Sequence, residues 1–117
     1  MKLPLTLMFS VMLSTPLSGQ QLTGVLVNPY TGYVNALIVP TGAKILPEHF
    51  AACGPGCEFT DFIRSGQCLV VSVSRRQAAF GYSFGPSDDL PNIKSQAHHY
   101  CMSYGGTQCK EYAPICQ

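Results

Sequence analysis

Short apolar runs alternate with turn-forming clusters along most of this chain. Leu22–Val27 is apolar and β-branched, and Tyr33–Val39 reads as its return strand. Between them, Asn28-Pro29-Tyr30-Thr31-Gly32 predicts a reversal, because proline presets φ and glycine tolerates positive φ. Pro40-Thr41-Gly42 ends the second strand, and Ala43–Cys53 is expected to be a helix, with Pro47 near its start. Gly54-Pro55-Gly56 turns the chain into a short strand over Cys57–Ile63, and Ser65-Gly66-Gln67 turns it again. Cys68–Ser74 has little polar relief, which predicts a central strand buried on both faces.

After a turn at Ser74-Arg75-Arg76-Gln77, Ala78–Phe84 alternates in size. Phe80, Tyr82 and Phe84 share one face; Ala79, Gly81 and Ser83 share the other. So flat a face lets another element approach the backbone closely. Ser87 or Asp89 suits the cap of a second helix, and Pro91 suits its first turn. Ile93, Ala97, Tyr100, Cys101 and Tyr104 recur at helical spacing until Gly105-Gly106 stops the pattern. Cys109–Cys116 is the last strand, and Pro114 makes it an edge.

Displaced by 46 residues, the chain meets itself. Val25-Leu26-Val27 falls on Val71-Ser72-Val73, and Val34, Ala36 and Ile38 fall on Phe80, Tyr82 and Phe84. Allowing small gaps, Cys53, Cys57 and Cys68 fall on Cys101, Cys109 and Cys116. The expected fold is α+β: a small antiparallel sheet with two helices on one face, pseudo-duplicated β-β-α-β halves, stapled by disulfides.

The first residues change the compartment. Lys2 precedes an apolar core from Leu3 to Leu13, and Ser14, Thr15, Pro16, Ser18 and Gly19 supply a cleavage region. This predicts a cleaved signal peptide over 1–19 and a single disulfide-rich domain over 20–117. The core falls short of the ~20 apolar residues of a membrane span. A periplasmic or secreted location follows, where a small core is commonly reinforced by disulfides. Three cysteines per half cannot all pair within that half, so at least one bridge joins the halves; the sequence leaves the pairing open.

Beyond Lys2, six Lys and Arg residues oppose six Asp and Glu residues. That balance removes the electrostatic footprint of nucleic-acid binding and of polybasic membrane attraction, and no membrane insertion is expected. With only 11% charged residues, the surface favours contact with another protein.

The segment Ala79-Phe80-Gly81-Tyr82-Ser83-Phe84-Gly85-Pro86-Ser87 resembles the G-x-G-x-S-x-G-x-S strand and turn of the small exported bacterial domain of unknown function 4189. The order Ala97, Cys101, Cys109, Cys116 fits that family's helix, loop and strand cysteines, as does Cys53, Cys57, Cys68 followed by Leu69-Val70-Val71. The usual alanine-rich helix is here Asn92–Tyr100 with two histidines, and Pro47 and Pro91 sit in both helices. The resemblance implies fold and compartment, and carries no active site across.

Candidate chemistry is sparse. Cysteines with His98 and His99 are zinc-ligand types, yet an even cysteine count in an exported chain points to disulfides, and no metal or cofactor is expected. Adjacent His98 and His99 do not share a helix face. Asp88-Asp89 reads as the acidic start of a helix. Ser83 in Gly81-Tyr82-Ser83-Phe84-Gly85 imitates a nucleophile elbow without the large parallel sheet that elbow needs. The expectation is a protein-binding protein and not an enzyme: an immunity or inhibitor protein that occludes a secreted toxin enzyme. Its contacts are expected at Tyr30, Tyr33, Arg75, Arg76 and Tyr82, since turns on a rigid scaffold are natural contact points. The alternatives are a small cell-envelope enzyme using His98, His99, Asp88 or Asp89, and a secreted structural or self-associating protein.

Overall fold

Apolar, β-branched runs and tight turns give two hairpins of equal length. Strand β1 (Gln21–Asn28) pairs antiparallel with β2 (Tyr33–Pro40). After β3 (Glu58–Ile63), β4 (Gln67–Ser74) pairs antiparallel with β5 (Ala79–Pro86). The computed structural model describes residues 21–117; the signal segment expected over 1–19 and residue 20 lie outside the described residues. At an offset of 46 residues the hairpins coincide pair for pair. Gln21 opposes Pro40 as Gln67 opposes Pro86, and Asn28 opposes Tyr33 as Ser74 opposes Ala79. Their turns coincide as well: Gly32 has φ 81° and Ala78 has φ 52°.

The strands form two sheets, where the sequence led us to expect one. β3 pairs with the free edge of β1, giving the order β2-β1-β3, with a bulge opposite Val25. In the second sheet β4 lies between β5 and two short pieces, β6 (Lys110–Glu111) and β7 (Ile115–Cys116). The expected last strand is thus split. Pro114 has no N–H to give a ladder, so it sits between the two pieces. The sheets face each other across Val25, Val27, Ile63, Leu69, Val71 and Val73, all buried. Burying this layer separates β3 from β4 although a short turn joins them.

Among the described residues there is one α-helix, where two were expected. Helix α1 (Leu90–Ser103) covers the opposite face of the second sheet through Ile93, Ala97 and Cys101, with Val70 beneath. The first expected helix reduces to a single 3-10 turn, Pro47–Phe50. Leu46, just before Pro47, is extended at φ −99° and ψ 156°, as the proline ring demands of its predecessor. Gly54, at φ 86°, and the Cys53–Cys57 bridge end the segment within a few residues.

The three bridges are Cys53–Cys57, Cys68–Cys116 and Cys101–Cys109. Cys68–Cys116 links directly opposed residues of β4 and β7 within the second sheet. Its sequence separation of 48, against 4 and 8 for the others, makes it the strongest restraint on the unfolded chain. Loop-closure entropy assigns it roughly 4 kcal/mol, and about 2 kcal/mol to each short one. Next to it, the Gln117 N–H donates to the Gln67 carbonyl (2.9 Å) and its side-chain amide donates to the Gln21 carbonyl (2.6 Å). The Thr23 hydroxyl donates to the Gln117 side-chain oxygen, so this residue ties both sheets together. No helix among the described residues is long and apolar enough to cross a membrane.

The flat face of β5 explains how α1 sits so close. A Cβ on Gly81 would lie 2.2 Å from the Cys101 nitrogen and 2.6 Å from the Ala97 carbonyl oxygen, both helix backbone. Backbone cannot rotate away, so Gly81→Ala must push helix from sheet. We expect a loss of about 3 kcal/mol, the upper end of ordinary overpacking, in denaturant unfolding. A wild-type midpoint for Gly81→Ala would mean that the helix is seated differently.

Candidate functional site

Each hairpin's first strand ends in a buried polar residue that holds a disulfide loop. Asn28 donates from Nδ2 to the carbonyls of Cys53 (2.8 Å) and Pro55 (2.9 Å), and its Oδ1 accepts the Tyr30 N–H (3.0 Å). Ser74, at the matching place, donates to the Thr107 carbonyl (2.7 Å) inside the Cys101–Cys109 loop. These bonds draw both loops against both turns, at one end of the molecule.

That end brings the two expected contact turns together. A Cβ on Gly32 would lie 2.9 Å from Arg75 Cδ and 2.9 Å from the Tyr112 hydroxyl. Tyr30 lies over Gly56 of the first disulfide loop, where a Cβ would meet the ring at 2.7 Å, and is still 65% exposed. Arg75 and Arg76 are exposed; Tyr33 is half-buried and accepts from Asn35 Nδ2 at 3.3 Å. A shallow cavity of about 230 Å³ opens beside them, lined by Arg75, Arg76, Thr107, Lys110 and Tyr112 among others. Lys110 stands 5.7 Å from the centre of the Tyr112 ring, within cation–π range. Among the described residues none of these three cations is in a salt bridge; Lys94 and Glu111 form one at 3.8 Å. The end therefore presents three unpaired positive charges among tyrosines.

Lys110 and Tyr112 were not among the contact residues expected from the sequence. They reach the turns because the Tyr112 N–H donates to the Val71 carbonyl (2.9 Å) and Lys110 opposes Val73. Only their cation and aromatic types were visible beforehand.

Tyr82 lies apart from that end, along the unpaired edge of β5. Its hydroxyl donates to the Thr60 carbonyl at 3.0 Å. Burial pushes its phenol above the ordinary value of 10.0, with the Asp61 carboxylate and Tyr104 adding to the rise. Two adjoining cavities, each about 390 Å³, share Tyr82 and Tyr104. One is lined by Ser83, Phe84 and Tyr100, the other by Glu58, Phe59, Ala78, Ala79 and Phe80.

The other candidates stay apart. Asp88 and Asp89 open the helical segment, where Asn92 Nδ2 donates to Asp89 (2.9 Å). His98 and His99 lie ten residues further along, roughly 15 Å at the helical rise, and both are exposed. Ser83 is buried under the helix and donates to Gln96 Oε1 at 2.7 Å. Among the described residues no three His, Cys, Asp or Glu side chains converge as metal ligands.

No family model matches this chain, and no curated protein or solved structure matches it either.

Asn28→Ala strips the donors from two carbonyls, one of them buried. The expected cost is about 2–3 kcal/mol in thermal unfolding, with faster reduction of the Cys53–Cys57 bridge. Tyr82 can be isolated as the difference in phenolate absorbance between wild type and Tyr82→Phe. Its midpoint should fall above 10.0. The folded state then holds this proton more tightly than the unfolded one, so Tyr82 supports the fold fully below pH 10 and loses that contribution as pH climbs through its raised value. A midpoint at or below 10.0 would place the ring in open solvent.

Proposed function

We propose that this chain is an exported, periplasmic protein-binding protein, an immunity or inhibitor protein that occludes a secreted toxin enzyme. One observation carries the reading: the turns bearing Tyr30 and Tyr33, and Arg75 and Arg76, stand side by side on a scaffold held by two disulfide loops. Tyrosine and arginine are the side chains that anchor interfaces most often, and a preorganised anchor loses little entropy on docking. Three cations without carboxylate partners favour an acidic surface on the bound protein, and charge of this kind raises association rates. The proposal assigns the chain no catalysis, metal or cofactor of its own. The 46-residue coincidence of the hairpins is read as an internal duplication, in which both copies lend a turn to one contact surface.

The test uses oxidised, bridge-intact protein immobilised against periplasmic extract of its native organism. We expect stoichiometric capture of one enzyme whose activity falls when bound. The double variant Arg75→Glu, Arg76→Glu should weaken that complex by about 30-fold or more, the effect of losing an anchor worth ~2 kcal/mol. Raising salt should slow association of the wild type and not of the variant. Capture indifferent to the charge reversal, or a captured protein whose activity is unaffected, rejects the proposal.

A further inference from the structure

The cavity beside Tyr82 is chemically unlike the cationic end. Its walls carry the rings of Phe80, Tyr82 and Tyr104, and the only charged residue among the described residues lining it is Glu58. The alternation of β5 sends Phe80 and Tyr82 to the face turned toward the first sheet. Glu58 opposes Val27, a core residue, so its strand position faces the same interior side. Tyr104 follows the last helical residue and is 71% exposed, yet it lines the cavities on both sides of Tyr82. Asp61 lies close enough to Tyr82 to act on its phenol, which adds a second negative charge next to the rings. No Lys, Arg or His side chain among the described residues lines this cavity to neutralise them.

Aromatic faces are electronegative, and rings grouped around a carboxylate attract an organic cation that water solvates poorly. A small metal ion is a weaker match, because the cavity offers one carboxylate and no cluster of oxygen ligands. We infer that the Phe80–Tyr82–Tyr104 cavity with Glu58 is a binding site for an alkylammonium or guanidinium group. Two sources supply that chemistry: a free quaternary ammonium compound, or an arginine or lysine side chain of a bound protein. Ala78 of the second turn lines the site, but Tyr30, Tyr33, Arg75 and Arg76 of the proposed inhibitor surface do not, so either reading can fail without the other.

The experiment titrates the intact oxidised protein with tetramethylammonium chloride and, separately, with N-acetylargininamide, following Tyr and Phe ring protons by NMR. Sodium chloride at equal ionic strength is the reference. Saturable shifts in the Tyr82 and Tyr104 rings are expected with at least one probe. Tighter binding of tetramethylammonium identifies the quaternary ammonium source, and tighter binding of the arginine amide identifies the side-chain source. Tyr104→Ala and Glu58→Gln change only exposed groups and should each weaken binding by about threefold to tenfold. Arg75→Glu should leave it unchanged. Shifts that never saturate, that match those from sodium chloride, or that persist at full strength in both cavity variants overturn the inference.

Discussion

Burying both faces of β4 takes two partners of different kinds, and the remaining architecture follows from finding them. Leu69, Val71 and Val73 face the first sheet; Val70, Ser72 and Ser74 face the helix side. A sheet can cover the first set because β1 supplies Val25 and Val27 at matching spacing. The helix can cover the second only if its backbone comes very near, which Gly81 on the neighbouring strand permits. The cost of that closeness is visible at Ser72, whose hydroxyl is buried with no hydrogen-bond partner among the described residues. A buried, unpaired hydroxyl opposes folding, so the apolar contacts around it must outweigh it.

The same strand sets where the exposed chemistry lies. β4 ends in Ser74, and the turn after it delivers Arg75 and Arg76 beside the matching turn of the first hairpin. Its other neighbour, β6, brings Lys110 to that end. Meanwhile β5, paired on one side only among the described residues, leaves its aromatic side chains at an edge where Tyr104 also lies. Two surfaces of opposite character thus border one hairpin: a cationic one at its turn, and along its edge an aromatic one to which β3 adds Glu58.

Much of this was legible in the chain because β structure writes itself locally. The hairpins, their turns, the two-sided burial of Cys68–Ser74 and the flat face at Gly81 all follow from alternation and turn chemistry over fewer than ten residues. The first helix misled because Ala43–Cys53 has helical composition, while Pro47 constrains Leu46 and the short disulfide loop leaves no room to propagate. The division into two sheets depends on which edge β3 chooses, a long-range matter that periodicity does not encode. The site was legible in part. The turns bearing Tyr30, Tyr33, Arg75 and Arg76 meet because equal hairpins end together, whereas Tyr82 belongs to another surface, and Lys110 and Tyr112 arrive by pairing with β4 far back in the sequence.

The pattern of bridges imposes an order on oxidation. Cys53–Cys57 and Cys101–Cys109 each join neighbours along the chain, but Cys68–Cys116 encloses the second of them. A polypeptide entering an oxidising compartment amino end first presents Cys68 long before its partner. In that interval the nearest thiols are the wrong ones, Cys53 and Cys57 behind it and Cys101 following. Consecutive pairing would trap a non-native disulfide and leave β7 unable to dock on β4. Thiolate exchange resolves such traps over seconds to hours unless an isomerase assists. Delivered in that direction, this small domain would need disulfide isomerisation, even though only one of its three bridges is out of sequence.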